Sequence, residues 1–333
     1  MKFIVFILLC GLVFVSCDKP NIKKENPGKE LKESKIELYK TLVGHKGYLF
    51  YLDFSRDQNY LASGSADKTV RIWDTKSWKE IKNITESYYE IWGIPLGFSS
   101  DNKFLVIGSF EFLKALAVDK DFSEVKSVFA HKKGIQSLCV TPDSKYVVTG
   151  GVDGVIKIWS LPELELVRQT NAHASEVWSV SVSPDGGSIL SGGEDGYCKI
   201  WRFSDLSLEN LVKFHKMPVE YVRYSHNGNQ FLAASADSTV TVWKNGEYNA
   251  PYRILRAHMG GVLVADFSSD DRFIFSGGDD DCIYEYDIDK GEMVYRLKEH
   301  FGDVMALAVS PDGKYLASGS RDRTIKVWSL PGQ

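Results

Sequence analysis

The sequence predicts an all-β protein built from seven small antiparallel sheets, and three observations carry that prediction. First, histidines mark a repeat of 42 or 43 residues. These anchor positions are His45, His131, His173, His215, His258 and His300. Second, a turn sequence begins near the twelfth residue after each anchor. Third, runs of alternating apolar and polar residues lie between anchor and turn and again after the turn, as in half-buried strands.

The spacing of the anchors gives the number of repeats. His45 and His131 are two periods apart, and Tyr89 stands at the vacant position, so the chain holds seven repeats. Turns such as Ser310–Gly313 place Pro at the second position and Gly at the fourth, which suits a type I turn. Strand-like runs such as Thr324–Trp328 follow the turns. Seven such sheets in register make a closed array.

Length, composition and charge exclude several classes. A chain of 333 residues suggests about two domains on length alone, but the repeat assigns almost all of it to one. Lys and Arg total 40 against 44 Asp and Glu, so there is no basic footprint for nucleic acid. Five Cys are too few for a disulfide scaffold. Cys139, Cys198 and Cys282 lie in separate repeats and are expected to be buried free thiols.

The N-terminus predicts export. Residues 1–16 form a signal peptide, because one Lys precedes an apolar run that is too short to span a bilayer. Phe14-Val15-Ser16-Cys17 resembles a bacterial lipobox, so Cys17 is the expected site of lipidation. The alternative is an ordinary cleaved signal in which Cys17 has no role. Residues 17–35, rich in Lys, are expected to be a disordered tether spanning about 23 Å, which places the protein in the bacterial cell envelope as a membrane-anchored lipoprotein.

The repeat motifs resemble those of the WD-repeat β-propeller family over nearly the whole chain after the tether. The residues that carry the resemblance include Gly44-His45, Trp73-Asp74, Leu61–Asp67 and Leu316–Asp322. The resemblance implies a seven-bladed β-propeller of four-stranded antiparallel blades over residues 36–331. It also implies that the segment from Ile36 to Val43 supplies the missing outer strand of the blade of His300, which would leave no open edge.

A serine-hydrolase composition recurs in the repeats. His45, Ser63 and Asp67 have the residue types of a catalytic triad. The trio recurs as His131, Thr149, Asp153; as His173, Ser191, Asp195; and as His300, Ser318, Asp322. An active site needs one trio in one cleft, so four copies favour a structural role. The resemblance implies a buried hydrogen-bonded network that also includes a strand Trp in each of these blades.

Three repeats depart from this pattern. The fifth has Ala233 where Ser is expected, and the sixth has Tyr286 in place of Trp. The second departs most, with Tyr89 for His and Pro95 placed inside its first strand. Two interpretations stay open for the second repeat: a drifted blade held by its neighbours, or a blade reshaped for a partner.

No metal or cofactor is expected. The anchor histidines are spread one per blade, so they cannot converge on one ion. Asp279–Asp281 lies in a turn, where acids are common, and Asp287–Glu292 resembles only half a calcium loop. The sequence contains no Gly-x-x-x-x-Gly-Lys-Ser/Thr nucleotide loop.

The resemblance implies that partners dock on the face of the anchor loops, around the central channel. Two positions in each repeat are expected there, the fifth residue after the anchor and the residue before the turn Asp of the second loop. With one residue at the third position after the anchor, the partner-binding candidates are Phe50, Trp92, Phe110, Trp178, Glu194, Glu220, Leu263, Asp279, Met305 and Arg321. The competing interpretation is that several of the aromatic members pack between blades and do not reach solvent.

The function predicted from these features is a non-enzymatic protein-interaction scaffold that binds a protein or peptide with basic and apolar side chains. Two alternatives stay open. One is an exported hydrolase-type enzyme that uses the propeller as a frame. The other is a structural subunit of a larger envelope complex.

Overall fold

The structure is a computed structural model that describes residues 36–86 and 93–331. Those residues form seven four-stranded antiparallel sheets, arranged as the blades of a β-propeller, with one 3-10 turn at Val118–Lys120. The predicted fold is therefore confirmed. The predicted signal peptide, Cys17 and the tether of residues 17–35 lie outside the described residues, as do Tyr89 and Trp92.

The first four blades take their strands in chain order. Blade 1 is β2 (Leu49–Phe54), β3 (Tyr60–Ser65), β4 (Thr69–Asp74) and β5 (Lys79–Thr85). Blade 2 is β6 (Leu96–Phe98), β7 (Phe104–Ser109), β8 (Phe112–Ala117) and β9 (Ser123–Phe129). Blade 3 is β10 (Ile135–Val140), β11 (Tyr146–Gly151), β12 (Val155–Ser160) and β13 (Leu166–Asn171). Blade 4 is β14 (Val177–Val182), β15 (Ser188–Gly193), β16 (Tyr197–Arg202) and β17 (Leu208–Lys213).

The remaining blades follow the same order, except that the last borrows the first strand of the chain. Blade 5 is β18 (Val219–Tyr224), β19 (Gln230–Ser235), β20 (Thr239–Lys244) and β21 (Arg253–Leu255). Blade 6 is β22 (Val262–Phe267), β23 (Phe273–Gly278), β24 (Ile283–Asp287) and β25 (Glu292–Leu297). Blade 7 is β26 (Val304–Val309), β27 (Tyr315–Ser320), β28 (Thr324–Ser329) and β1 (Glu37–Val43).

Strand β1 closes the ring as predicted. It pairs antiparallel with β28, from Glu37 opposite Ser329 to Val43 opposite Thr324. Ile36, which the prediction included, precedes the strand and is buried in the core between blades 6 and 7. The pairing covers an edge of β28 that would otherwise expose unpaired backbone groups.

The hydrophobic core is divided among the junctions between blades. Seven clusters of buried side chains are present, and each combines residues from two neighbouring blades. The cluster between blades 7 and 1 joins Leu42 and Val327 to Leu49 and Trp73. Fully burying such a side chain stabilises the fold by about 1.5–3 kcal/mol, so the last junction is packed like the others.

Each blade has one inner strand. These strands are β2, β6, β10, β14, β18, β22 and β26. Their two ends define two distinct faces of the propeller. We call the side that carries the anchor histidines the anchor face. The opposite side carries the hairpins between the inner and second strands, and we call it the turn face. Strand β1 begins at the turn face, since Glu37 and Tyr315 both pair with Ser329 and Tyr315 directly follows such a hairpin.

Blade 2 corrects one detail of the sequence prediction. Pro95 was expected inside the inner strand, but β6 begins at Leu96 and has only three residues. Pro95 lies just before it, and its carbonyl accepts a hydrogen bond of 2.8 Å from the amide of Gly108. The proline therefore removes no donor from the ladder and instead shortens the strand.

Candidate functional site

The predicted polar network is present in blade 1. His45 Nδ1 lies 2.9 Å from Asp67, and its Nε2 lies 2.8 Å from the Ser63 hydroxyl. The indole N–H of Trp73 donates to the Ser63 oxygen at 2.9 Å. These distances fit a neutral imidazole that donates from Nδ1 to the carboxylate and accepts from the hydroxyl at Nε2. We call this arrangement the polar lock.

Blades 3, 4 and 7 contain the same lock. The distances between the imidazole Nε2 and the hydroxyl are 2.7 Å in blade 3, 2.8 Å in blade 4 and 2.7 Å in blade 7. The residues are His131, Thr149, Asp153 and Trp159; His173, Ser191, Asp195 and Trp201; and His300, Ser318, Asp322 and Trp328. Repetition in four blades supports the structural interpretation of the trio.

Burial makes the locks unsuited to hydrolysis. The Ser63 side chain is 0% exposed, so its hydroxyl is out of reach of a substrate. Burial lowers the pKa of His131 and of His173, despite their Asp partners, which favours the neutral imidazole. Although burial alone raises the pKa of Asp67, hydrogen bonds from His45 and Thr69 hold that pKa below its usual value. The lock is therefore a satisfied buried network that fixes the anchor loop.

Blade 5 completes its lock with a residue that the sequence did not indicate. Ala233 has no hydroxyl, but Thr241 stands directly opposite it on the next strand. The Thr241 hydroxyl lies 2.9 Å from Nε2 of His215 and accepts the indole N–H of Trp243 at 2.9 Å. In blade 6, His258 keeps its Ser276 and Asp280 partners, and Tyr286 is buried where blades 1, 3, 4, 5 and 7 have Trp.

Blade 2 replaces the lock with an ion pair. Glu86 is buried, accepts a hydrogen bond of 2.7 Å from Ser109, and lies 2.8 Å from the Lys114 ammonium. Glu124 approaches the same ammonium at 3.3 Å. The sequence analysis missed these residues, because their types do not match the lock and their spacing differs from it. The blade is thus held internally by its own polar contacts as well as by its neighbours.

A β-bulge sets the first group of partner-binding candidates apart from the ladder. In six inner strands the pairing register shifts by one residue near the anchor face. The extra residue is always the fifth after the anchor, and these bulge residues are Phe50, Gln136, Trp178, Glu220, Leu263 and Met305. A bulge re-aims the side chain of its extra residue, which is the physical reason that this position differs from the rest of the strand.

Outside blade 2, the second group of candidates is fixed by a backbone hydrogen bond between the two loops of each blade. The residue before the lock Asp donates its N–H to the carbonyl of the third residue after the anchor. Glu194 donates to Glu176 at 3.1 Å, and Arg321 donates to Asp303 at 2.9 Å. The bulges and these bonds bring the two groups to the same face around the channel.

The exposure of the candidates is mixed. The side chains of Phe50, Phe110, Trp178, Leu263, Met305 and Glu220 are half-buried. Glu194, Asp279 and Arg321 are exposed, and Trp92 lies outside the described residues. Phe50 lies against Gly93 of blade 2. A Cβ atom added to Gly93 would come within 2.7 Å of the Cβ of Phe50. The aromatic candidates thus pack partly between blades without being fully removed from solvent.

Acidic side chains of blades 5, 6 and 7 lie close enough to influence one another. Burial, with a further contribution from Asp279, raises the pKa of Glu220 to about 8. Burial also raises the pKa of Asp279 and of Asp303, although Arg321 partly opposes both shifts. The Arg321 guanidinium lies 2.8 Å from Asp303 and 5.4 Å from the centre of the Tyr48 ring. We call Glu220, Asp279 and Asp303 the acidic row.

Two exposed apolar side chains beside this row were missed by the sequence analysis. Phe301 is 90% exposed and Met259 is 89% exposed, and each directly follows an anchor histidine. Met217, which lies two residues after the anchor His215 of blade 5, is also exposed. The sequence did contain a sign that this position is exposed. The residue that directly follows the anchor is a lysine in three other repeats, namely Lys46, Lys132 and Lys216.

Two further observations concern metals and membranes. Within residues 36–86 and 93–331, no group of three or more His, Cys, Asp or Glu side chains is arranged to hold a metal ion. Cys139, Cys198 and Cys282 are free thiols, the first half-buried and the others buried. Across the same ranges, the chain forms no helix with the length and apolar character needed to cross a bilayer.

Comparison with known proteins identifies the family. The family model described as WD domain, G-beta repeat matches residues 36–74, 122–160, 164–202, 208–244, 249–287 and 291–329. A serine-threonine kinase receptor-associated protein of Homo sapiens is 26% identical over 97 residues, which are 29% of this chain and 27% of the relative. A WD repeat-containing protein WDS homolog of Arabidopsis thaliana is 34% identical over 113 residues, 31% of this chain and 20% of the relative.

The vegetative incompatibility protein HET-E-1 of Podospora anserina is 41% identical over 75 residues, 20% of this chain and 6% of the relative. The chain thus spans 27% or less of the length of each of these relatives. The family model, in contrast, covers more than half of the chain, and its matches leave out the segment that holds most of blade 2. The chain therefore belongs to the WD domain, G-beta repeat family.

Proposed function

We propose that this protein is a non-enzymatic interaction scaffold, exported and held at a bacterial membrane by a lipid on Cys17. It binds a basic and partly apolar segment of a partner protein on the anchor face. WD40 propellers are generally protein-interaction scaffolds, and the chain is a member of that family. We propose in addition which face binds, the chemistry of the partner and the lipid anchor.

The observation that carries the proposal is the exposure of Phe301 and Met259 on neighbouring anchor loops. Exposed apolar side chains grouped on one face mark interaction surfaces. The lock carboxylates also hold both loops in place. Asp322 accepts the backbone N–H of Phe301 at 3.1 Å, and Asp280 accepts that of Met259 at 3.0 Å. A partner therefore meets preorganised side chains and loses less entropy on binding.

The acidic row supports a basic partner. Arg321 neutralises Asp303, but Glu220 has no cationic partner among the residues that the structure describes. Burial disfavours the ionised form of this carboxyl, and a Lys or Arg side chain placed beside it would favour ionisation. A basic segment also gains attraction from Asp279, which is exposed next to it.

Trp178 adds an aromatic ring to the same face. The ring is half-buried, and its indole N–H is buried without an acceptor in the described part of the chain. A partner cannot reach that N–H, so Trp178 is expected to contribute to affinity through the exposed part of its ring.

The anchor is supported by the sequence alone. The apolar run before Cys17 is that of a signal peptide, and Val15-Ser16-Cys17 fits a lipobox. The chain enters the propeller at the turn face through β1. The anchor face lies at the other end of the strands, so the binding surface and the point where the chain enters are separate.

Fluorescence anisotropy with designed peptides tests the binding surface. The probes are a peptide of alternating Lys and Leu, the matching peptide of Glu and Leu, and a Ser-rich peptide. We expect the Lys-Leu peptide to bind most tightly and to weaken as salt screens the acidic row. Trp178→Ala is expected to reduce affinity by about 30-fold, the effect of a hot-spot residue worth about 2 kcal/mol.

Variants separate the two parts of the surface. Phe301→Ser with Met259→Ser removes the apolar contacts and should weaken binding at all salt concentrations. Glu220→Gln should weaken binding mainly at low salt. Val125→Ser, a matched change at an exposed apolar residue on an outer strand of blade 2, should leave affinity unchanged. Equal binding of the Glu-Leu and Lys-Leu peptides, or equal losses in Val125→Ser and the double variant, would refute the proposed surface.

A further inference from the structure

A second candidate site lies at the other end of the channel. A cavity of about 100 Å³ opens where the inner strands of blades 1, 5, 6 and 7 end at the turn face. This volume is several times the roughly 10–15 Å³ needed to hold one water molecule. Its walls carry apolar side chains such as Leu307 and Val309 and six charged or titratable side chains. These are Asp53, Arg56, Tyr221, Arg223, His226 and Asp266. The binding surface of the anchor face does not include any of them.

The repeat shows that the two arginines are exceptions at their positions. The eighth residue after the anchor lies on the inner strand, and in blades 1 and 4 its side chain accepts a hydrogen bond from the neighbouring inner strand. Asp53 accepts the backbone N–H of Phe98 at 2.8 Å, and Ser181 accepts that of Tyr224 at 3.1 Å. Arg223 stands at this position in blade 5 and cannot accept a hydrogen bond. It pairs instead with Asp266, which holds the same position on the inner strand of blade 6.

Two further residues of the cavity share a different position. Arg56 and His226 are each the eleventh residue after an anchor, on the hairpins of blades 1 and 5. Pro142, Pro184 and Pro311 occupy that position in other blades. His226 is also the single histidine outside the repeat grid. The residues that break the repeat on this face thus line one cavity.

The cavity offers hydrogen-bond donors as well as acceptors to a ligand. Nε of Arg223 lies 3.3 Å from Asp266, and the guanidinium carries further N–H donors beyond that one. Asp53 and Asp266 already accept backbone N–H groups, from Phe98 at 2.8 Å and from Phe267 at 3.0 Å.

The backbone N–H of Phe54 adds a further donor to the cavity. Ala308 stands at the eighth position in blade 7, so the N–H of Phe54, equivalent to that of Phe98, lacks the side-chain acceptor. Both Ala308 and Phe54 line the cavity.

The two guanidinium groups act on the same carboxyl. Burial raises the pKa of Asp53, and the charges of Arg56 and then of Arg223 partly oppose that shift. Asp53 and both arginines line the same cavity. Two guanidinium groups that line one cavity can bind a carboxylate or a phosphate through their N–H donors.

We propose that this cavity binds a small oxyanion, a carboxylate or phosphate group held between the guanidinium groups of Arg56 and Arg223. His226 lies at the rim, where Asp271 holds its Nδ1 at 2.9 Å. The site is independent of partner binding on the anchor face, because it uses other residues at the opposite end of the inner strands. It gives the propeller a small-molecule ligand in addition to a protein partner.

Isothermal titration calorimetry on the purified full-length protein tests this site. The probes are inorganic phosphate, acetate and methylammonium, each at constant ionic strength set with sodium chloride. We expect saturable binding of phosphate or acetate and none of methylammonium, and the preferred anion shows which oxyanion the site takes. Arg56→Gln is expected to weaken anion binding by about tenfold. Arg272→Gln, on a turn-face hairpin outside the cavity, is the matched control and should bind as the unmodified protein does.

Arg223→Lys keeps the charge opposite Asp266 but loses the planar fork, so a folded Arg223→Lys protein should bind more weakly as well. Its circular dichroism spectrum shows whether it is folded, and Arg56→Gln tests the site if it is not. Absence of saturable binding of either anion up to about 10 mM, a range that detects millimolar affinity, would overturn the proposal. Saturable methylammonium binding without anion binding, or equal losses in Arg56→Gln and Arg272→Gln, would overturn it too.

Discussion

Thr241 takes the place of a missing serine for His215. The hydroxyl lies 2.9 Å from the imidazole Nε2, although it stands on the third strand of its blade and the serines of other locks stand on the second. The two positions are cross-strand neighbours, since Ala233 is paired directly with Thr241. A lock can therefore be completed from either strand, provided that one hydroxyl reaches both the imidazole and the indole N–H.

Thr241→Val should destabilise the protein by about 2–3 kcal/mol. The change preserves the shape of the side chain but leaves the buried imidazole and the Trp243 indole without their shared partner. The measurement is the free energy of unfolding in urea. Adding Ala233→Ser should restore most of the loss, because it supplies the hydroxyl where other blades have it. A double variant no more stable than Thr241→Val would show that the lock in this blade does not accept the usual serine.

Leu42→Ala should open the closure of the ring at a cost of about 2–4 kcal/mol. Leu42 on β1 is 3% exposed and packs in the cluster between blades 7 and 1. Val43 follows it on the same strand but is 72% exposed, so Val43→Ala is the matched control and should change stability by less than about 0.5 kcal/mol. Urea unfolding of the two variants measures the difference. Equal, small effects would mean that β1 contributes little to the closure.

Glu285 makes stability depend on pH. It lies on β24 at a position where β12 has Ile158, is 5% exposed, and has one carboxylate oxygen without a partner among the described residues. Burial, with a contribution from Asp287, raises its pKa from 4.5 to about 7. The folded state thus holds the proton more tightly than the unfolded state. Stability should fall as the pH rises from about 4.5 through 7, by about 3 kcal/mol at most.

Glu285→Gln removes this titration and isolates its effect. The unmodified protein should lose more stability between pH 5 and pH 8 than the variant, because only the former must bury a charge at the higher pH. Glu163→Gln, at an exposed position on a hairpin, is the control and should follow the unmodified protein. Parallel stability curves for the unmodified protein and Glu285→Gln would contradict the expectation.

The fold could be predicted well because the same pattern of strands and turns recurs seven times. Each anchor, turn and strand reappears at the same spacing, so the number of blades follows from periodicity. The closure by β1 and the buried lock network were predicted from the resemblance to the WD-repeat family. The bulge at the fifth residue, such as Phe50 or Trp178, was not itself predicted, although the position was.

What the sequence did not predict lies where a repeat breaks its own pattern. Thr241 is recognised only through its pairing with Ala233, and the contact of Glu86 with Lys114 only through the packing of blade 2. The cavity that Arg56 and Arg223 share requires knowing which positions meet across the channel. In each case a residue contacts another that is distant in the sequence. The spacing of the repeats does not predict such contacts.

Cys17→Ser should move the protein from the membrane fraction to the soluble fraction. A lipobox cysteine that carries several acyl chains holds a protein stably, whereas a single chain gives only marginal binding. Intact mass of the unmodified protein should show an N-terminus at Cys17 with the added mass of acyl chains. Cys10→Ser, within the apolar run of the signal peptide, is the control and should leave both fractionation and mass unchanged. A mature N-terminus elsewhere without acyl mass, or retention of Cys17→Ser in washed membranes after its signal peptide is removed, would show that Cys17 is not the anchor.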